Sequence, residues 1–167
     1  MVFNQIKMQQ GLTQDELASL LSNDIREVFS TMVAMEDLLH LPIQIEPVTQ
    51  FESCVTAMVG LAGTYNGRVS LHAPLNLAMD FTARMLGIDV TEFNDDVCDA
   101  LGEIDNMIAG SFKQHLSRGG ADIKLSTPSV ITGKEYFVSE GNAAETITLR
   151  FATDKDYFVV SVNLEKE

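Results

Sequence analysis

Apolar residues recur at helical spacing early in the chain, at Leu17, Leu20, Leu21, Ile25, Val28, Phe29 and Met32. Steps of three and four put them on one side of a helix. Thr13 followed by Glu16 reads as a capping box that opens this helix at Gln14, and the pattern carries it to about residue 38, ahead of Pro42. From Ile43 to Pro74 the pattern becomes strand-like. Phe51 to Leu61 is rich in β-branched and apolar residues, Arg68-Val69-Ser70-Leu71-His72 alternates, and Gly63 with Asn66-Gly67 supplies turn chemistry, so a hairpin is predicted. Pro74 then starts a short helix that turns Leu77, Ala78, Phe81, Met85 and Leu86 inward and stops at Gly87.

Asn94, Asp95 and Asp96 place polar and anionic groups at the start of a third helix, which runs to about Leu116, before Gly119-Gly120. Asp122–Ile131 is extended. Glu145–Ala152 and Tyr157–Leu164 alternate around Thr153-Asp154-Lys155-Asp156, which predicts a final hairpin. Residues 1–12 carry no pattern that places them. Strands adjoin strands too often for a βαβ array. The predicted class is therefore α+β, with helices packed on a mainly antiparallel sheet.

Composition narrows the function. The chain has 167 residues and 46% hydrophobic content, which suits one packed domain spanning 1–167. The net charge of −13 excludes broad binding to nucleic-acid phosphates and disfavours an anionic membrane surface. No apolar run is long enough to span a bilayer, and MVFNQIKMQQ lacks the apolar segment of a signal peptide, so a cytoplasmic protein is expected. Cys54 and Cys98 lie in no metal-type spacing and are expected to be buried thiols.

The third helix carries the candidate chemistry. At 100° per residue, Val97, Ala100, Leu101, Ile104, Met107, Ile108, Ser111 and Phe112 form the predicted core side. Asp99, Glu103, Asn106, Gly110 and Lys113 gather opposite, with Gly102 at the edge of that stripe and Asp105 on the helix flank. An ordinary solvated face would use strong helix formers. Here two glycines and an asparagine stand mid-helix, and each glycine costs about 0.8–1.0 kcal/mol relative to alanine. Helix-weakening residues confined to an exposed stripe point to function. Glu103 and Asn106 stand one step of three apart, about 5–6 Å between Cβ atoms. A carboxylate can grip a cationic side chain, and an amide can hold a water by donating and accepting at once. Phosphoryl transfer needs mainly such positioning.

The run DALGEIDNMIAG, with STPSVITG downstream, resembles the signature of the CheC/CheX/FliY family of chemotaxis phosphatases, and within it the CheX type. Asp99, Glu103, Asn106 and Pro128, the last about 22 positions on, fit that signature without a gap. Ala109-Gly110, Thr127-Pro128-Ser129-Val130 and Gly133 are similar too, and the likeness covers roughly residues 14–165. The resemblance implies hydrolysis of the aspartyl phosphate of a CheY-type receiver domain. Glu103 would pair with the receiver's active-site lysine and Asn106 would orient the attacking water. Asp99, Gly102, Gly110 and Pro128 would support the site or meet the partner. Mg2+ would belong to the receiver, leaving this chain no cofactor of its own. CheC-type members carry two such signatures. Here Glu27 is followed three on by Ser30 rather than Asn, so one active face per chain and a CheX-like homodimer are implied.

Other readings carry less. Asp95, Asp96, Asp99 and Glu103 could be taken for a metal cluster, but the helix dipole explains the first two and no His joins them. His115 falls on the apolar side near a helix end, which suits satisfied burial or a dipole contact, and the eight Met residues follow core spacings. A non-enzymatic alternative is a receiver-binding or assembly module, like the related middle domain of the flagellar switch protein FliM, which lacks the Glu/Asn pair.

Overall fold

The computed structural model describes residues 2–36, 38–40, 45–118, 120–139 and 145–166. In chain order these form α1 (Val2–Gln10), α2 (Gln14–Met32), β1 (Leu39–His40), β2 (Gln50–Gly63), β3 (Tyr65–Pro74), α3 (Leu75–Leu86), α4 (Asp95–Ser117), β4 (Ile123–Leu125), β5 (Ser129–Phe137), β6 (Thr146–Ala152) and β7 (Tyr157–Lys166). The strands make one antiparallel sheet in the order β1-β6-β7-β3-β2, with β4 and β5 sharing the far edge of β2. Alternate residues of the long strands, such as Val55, Ala57 and Val59 on β2 and Val160 and Val162 on β7, join Leu21, Ile25, Phe29, Phe81, Ile104 and Phe112 from the helices in one core. This is the α+β arrangement that the alternation predicts.

Local chemistry fixes the elements. The capping box forms: Thr13 Oγ1 accepts the Glu16 N–H at 3.1 Å and the Glu16 carboxylate accepts the Thr13 N–H at 3.4 Å. The helix ends at Met32, earlier than the apolar pattern suggests. Ala34 takes a left-handed φ of 55°, and the chain turns so that Val33, Met35 and Leu38 enter the core as non-helical residues. The proposed stop at Pro42 lies outside the described residues. α3 closes on Gly87 at φ 69°, as expected. Leu86 is nevertheless about half exposed, because it lies 100° from the Leu77–Phe81–Met85 line that packs inward.

Two expectations are corrected. The β2–β3 turn sits at Gly63 and Thr64, with the Asn66 Oδ1 accepting the Gly63 N–H at 3.1 Å, and Asn66-Gly67 already belongs to the ladder. Gly67 serves a close approach: a Cβ there would lie 1.9 Å from the Asn163 carbonyl oxygen of β7. The unplaced N-terminus is a helix, α1, that buries Val2, Phe3 and Ile6. It is tied down by the Val2 N–H to Glu145 Oε2 at 2.9 Å, by Tyr65 Oη donating to Gln9 Oε1 at 2.9 Å, and by Gln10 Nε2 donating to the Leu116 carbonyl at 2.8 Å. Three of its four apolar residues are buried and Met8 is exposed, a mix in so short a stretch that shows no clear period.

Candidate functional site

α4 begins as the sequence predicts. Asn94 Oδ1 accepts the N–H groups of Asp96 at 3.0 Å and Val97 at 3.3 Å, and Asp95 and Asp96 lie in the positive first turn. Its buried arc is rotated relative to the predicted one. Leu101, Ile104, Ile108 and Phe112 are buried as expected, and Gly102, Asp105 and Ala109 are buried with them. Met107, expected inside, is 43% exposed, and Ser111 is half-buried. Small residues at 102 and 109 let that side of the helix approach the sheet edge, and the opposite flank turns outward.

The rotation separates the candidate residues. Asp99 and Glu103 are exposed, Asn106 and Gly110 half-buried, and all four lie on the outward side of α4. No hydrogen bond or ion pair within the described residues engages the side chains of Asp99, Glu103 or Asn106. Gly102 departs from its predicted place at the edge of the open stripe. It is buried beneath Pro128, whose Cβ would lie 3.3 Å from a Cβ at Gly102. Cys98, Asp99, Gly102, Glu103, Pro128 and Val130 line an open groove between α4 and the β4–β5 corner. Pro128, remote in sequence, is thus brought to the same surface as Asp99 and Glu103.

Asp105 overturns its predicted position on the helix flank. It is fully buried, neither carboxyl oxygen has a hydrogen-bond partner among the described residues, and desolvation pushes its pKa well above the ordinary carboxylate value. Nothing in the sequence separated it from its exposed acidic neighbours. His115 is buried as expected, and its Nε2 meets Asp24 Oδ2 at 2.9 Å, tying the end of α4 to α2. Burial raises the Asp24 carboxyl pKa, with His115 pulling it back. Cys54 and Cys98 are unpaired and half-buried, with thiol pKa values raised first by burial. Among the described residues no three His, Cys, Asp or Glu side chains converge as metal ligands, and no helix is long and apolar enough to cross a membrane.

Sequence reasoning missed Ser126 and Gly60. The Gly60 N–H donates to Ser126 Oγ at 2.8 Å and its carbonyl accepts the Ser126 N–H at 2.9 Å, which fixes the corner that carries Pro128. The only signal was a Ser two residues before a Pro, with no indication of which strand it would meet.

Residues 55–152 match the family described as "Chemotaxis phosphatase CheX". A curated relative, "CheY-P phosphatase CheX" of Thermotoga maritima, is 18% identical over 142 residues, covering 84% of this chain and 91% of its own. The crystal structure of a chemotaxis protein CheX from Desulfovibrio desulfuricans is 30% identical with a TM-score of 0.74, covering 90% of this chain and 99% of its own. The CheX-CheY-BeF3-Mg2+ complex from Borrelia burgdorferi aligns at 18% identity and a TM-score of 0.67, over 89% of this chain and 97% of its counterpart. The match over most of the chain, on a fold that these structures share, means that the protein belongs to the CheX family.

Proposed function

We propose that this protein hydrolyses the aspartyl phosphate of a CheY-type response-regulator receiver domain. The observation that supports the reading most is the state of Glu103 and Asn106. They are offered from one helix, anchored in the core on its other side, with their hydrogen-bonding groups unused among the described residues. Glu103 grips the receiver's active-site lysine through a charge-assisted bond, which fixes where the partner sits. The Asn106 amide donates to and accepts from one water and aims it in line at phosphorus. The partner's own Mg2+ neutralises charge on the phosphoryl oxygens. The Borrelia burgdorferi complex, in which a CheX is held with CheY, BeF3 and Mg2+, supports the choice of partner.

The chain's net charge of −13 suits a partner that offers a cation at the contact. Asp99, Gly110 and Pro128 border the contact, and the reaction takes place in the cytoplasm. A homodimer belongs to the same reading. Its physical support is the outer edge of β5, which pairs only with β2 among the described residues, with Ile131 and Phe137 exposed along it. Light scattering reads the dimer directly, and a monomer at high concentration removes it.

The deciding assay is loss of phosphate from a Mg2+-bound, phosphorylated receiver. The wild type speeds this loss. Asn106→Ala lowers the rate at saturating receiver by about 10²-fold or more, because the water is no longer oriented, and leaves docking largely intact. A wild type that binds receivers without altering their dephosphorylation is a scaffold instead. One that binds none refutes both readings.

A further inference from the structure

The sheet changes register beside the candidate site. β4 pairs with β2 up to Leu125 opposite Leu61, and β5 resumes with Ser129 opposite Met58. Ser126, Thr127 and Pro128 therefore face only Val59 and Gly60, which is a β-bulge of one extra residue. Such a bulge leaves its extra residue unpaired and disrupts the ladder locally. Here Gly60 keeps both bonds. Its carbonyl accepts the Ser126 N–H at 2.9 Å, and its N–H donates to Ser126 Oγ at 2.8 Å, where a ladder carbonyl would otherwise serve. The same hydroxyl donates to the Thr127 carbonyl at 3.0 Å, so its proton is committed and its lone pair faces Gly60.

The device depends on a glycine on each side. A Cβ at Gly60 would lie 3.2 Å from Ser126 Oγ. Pro128, which has no N–H to leave unpaired in the bulge, rests its ring against Gly102 of α4. A continuous line of contact thus runs from Gly60 through Ser126 and Pro128 to Gly102, the residue before Glu103.

We infer that Ser126 is a positioning residue for docking. Through the bulge it holds Pro128 as the wall of the groove beside Glu103, so that the partner's basic side chain meets that carboxylate in one place. This rests on the reading given under Proposed function. Neither Ser126 nor Asn106 is among the residues that line the groove. The effect of Ser126 therefore falls on KM for the phosphorylated receiver and spares kcat.

Ser126→Ala is the test, with the wild-type assay beside it. The Gly60 amide, having lost its acceptor, exchanges its hydrogen faster, as read by NMR. KM rises about ten-fold, the scale of one lost hydrogen bond, and kcat stays within about two-fold. Ser126→Thr, which keeps the oxygen, restores KM. An unchanged KM, a loss confined to kcat, or a Thr variant no better than Ala overturns the proposal. Should Ser126→Ala fail to fold, Gly60→Ala keeps the hydroxyl and crowds it, and must raise KM in the same way or overturn the proposal. If the wild type binds the receiver without turnover, the enzymatic reading falls and the same variants are read by Kd. A Kd unmoved by Ser126→Ala then refutes the positioning role separately.

Discussion

α2 and α4 are the two long helices of the molecule and are built alike at their ends and on their inner sides. Each starts at a side-chain cap, Thr13 or Asn94, and each buries a stripe of Leu, Ile, Val and Phe in the same core. They differ on the outside. α2 has no interior glycine, and α4 has Gly102 and Gly110. α2 places Glu27 and Ser30 at the spacing of Glu103 and Asn106, but the Ser30 hydroxyl donates to Glu36 at 3.0 Å. At the position matched to Asn106, α2 thus has a hydroxyl engaged by its own chain, whereas no bond among the described residues engages the Asn106 amide. Polarity alone does not distinguish the two stripes; they differ in whether the residue three on from the glutamate is already engaged.

Removing the matched carboxylates puts this contrast to its hardest test. On the proposed reading, Glu103→Ala deletes a charge-assisted bond to the partner and is expected to lower kcat/KM for the phosphorylated receiver by about 10- to 100-fold. Glu27→Ala should leave it within about two-fold, because an exposed side chain away from the contact contributes little. Ser30→Asn completes the motif on α2 and should add no activity, since the bulge and Pro128 stand beside α4. Equal losses in the two Glu variants would erase the distinction between the helices.

A second difference lies inside. The described polar side chains of α2 are exposed, half-buried or, for Ser22, buried with a partner, whereas α4 sends Asp105 into the core with neither oxygen partnered among the described residues. Its folded pKa is raised above the ordinary value of 3.8 by burial. The folded state thus holds that proton more tightly than the unfolded chain. Stability tied to it is fully present at pH below 3.8 and is lost as pH rises toward the folded pKa. Asp105→Ala removes the buried polar group and should stabilise the fold by about 1–3 kcal/mol at neutral pH, with a smaller gain near pH 4. Denaturant melts across that range check the sign, and a gain that does not grow with pH would contradict it.

Asp105 also marks where the sequence was legible and where it was not. Thr13, Gly87 and Asn94 act at short range, and each bounded its element as read, because caps depend on neighbours within one turn. The α4 stripe was placed with an error of rotation. Periodicity locates an apolar arc, but the angle at which a helix settles depends on what it meets, here β2 and the β4–β5 corner. That tilt drew Gly102 and Asp105 inward and left Met107 outside, although Leu and Met alone favoured the opposite. Asp99, Glu103, Asn106 and Gly110 survived the error because they lay far from the moving boundary. The Gly60–Ser126 clamp joins residues 66 apart, and no local pattern encodes it.

The two glycines of α4 give the finest comparison, because the same substitution should act in opposite ways. A Cβ added at Gly110 would have nothing within 4 Å, so the lack of a side chain there is not required by this chain's own packing. Gly110→Ala should therefore stabilise the helix by about 0.8–1 kcal/mol. Gly102→Ala gains the same helix propensity but sets its methyl 3.3 Å from Pro128 Cβ, and should gain little or lose stability unless the corner yields. Thermal melts separate the two. Binding separates them again: under the proposed docking, a methyl at 110 meets the partner and should weaken binding a few-fold, within the roughly 1 kcal/mol range of a mild steric clash. A Gly110→Ala variant that is more stable and docks as well as the wild type would leave that glycine without a role, and the partner's footprint would then end at Asn106.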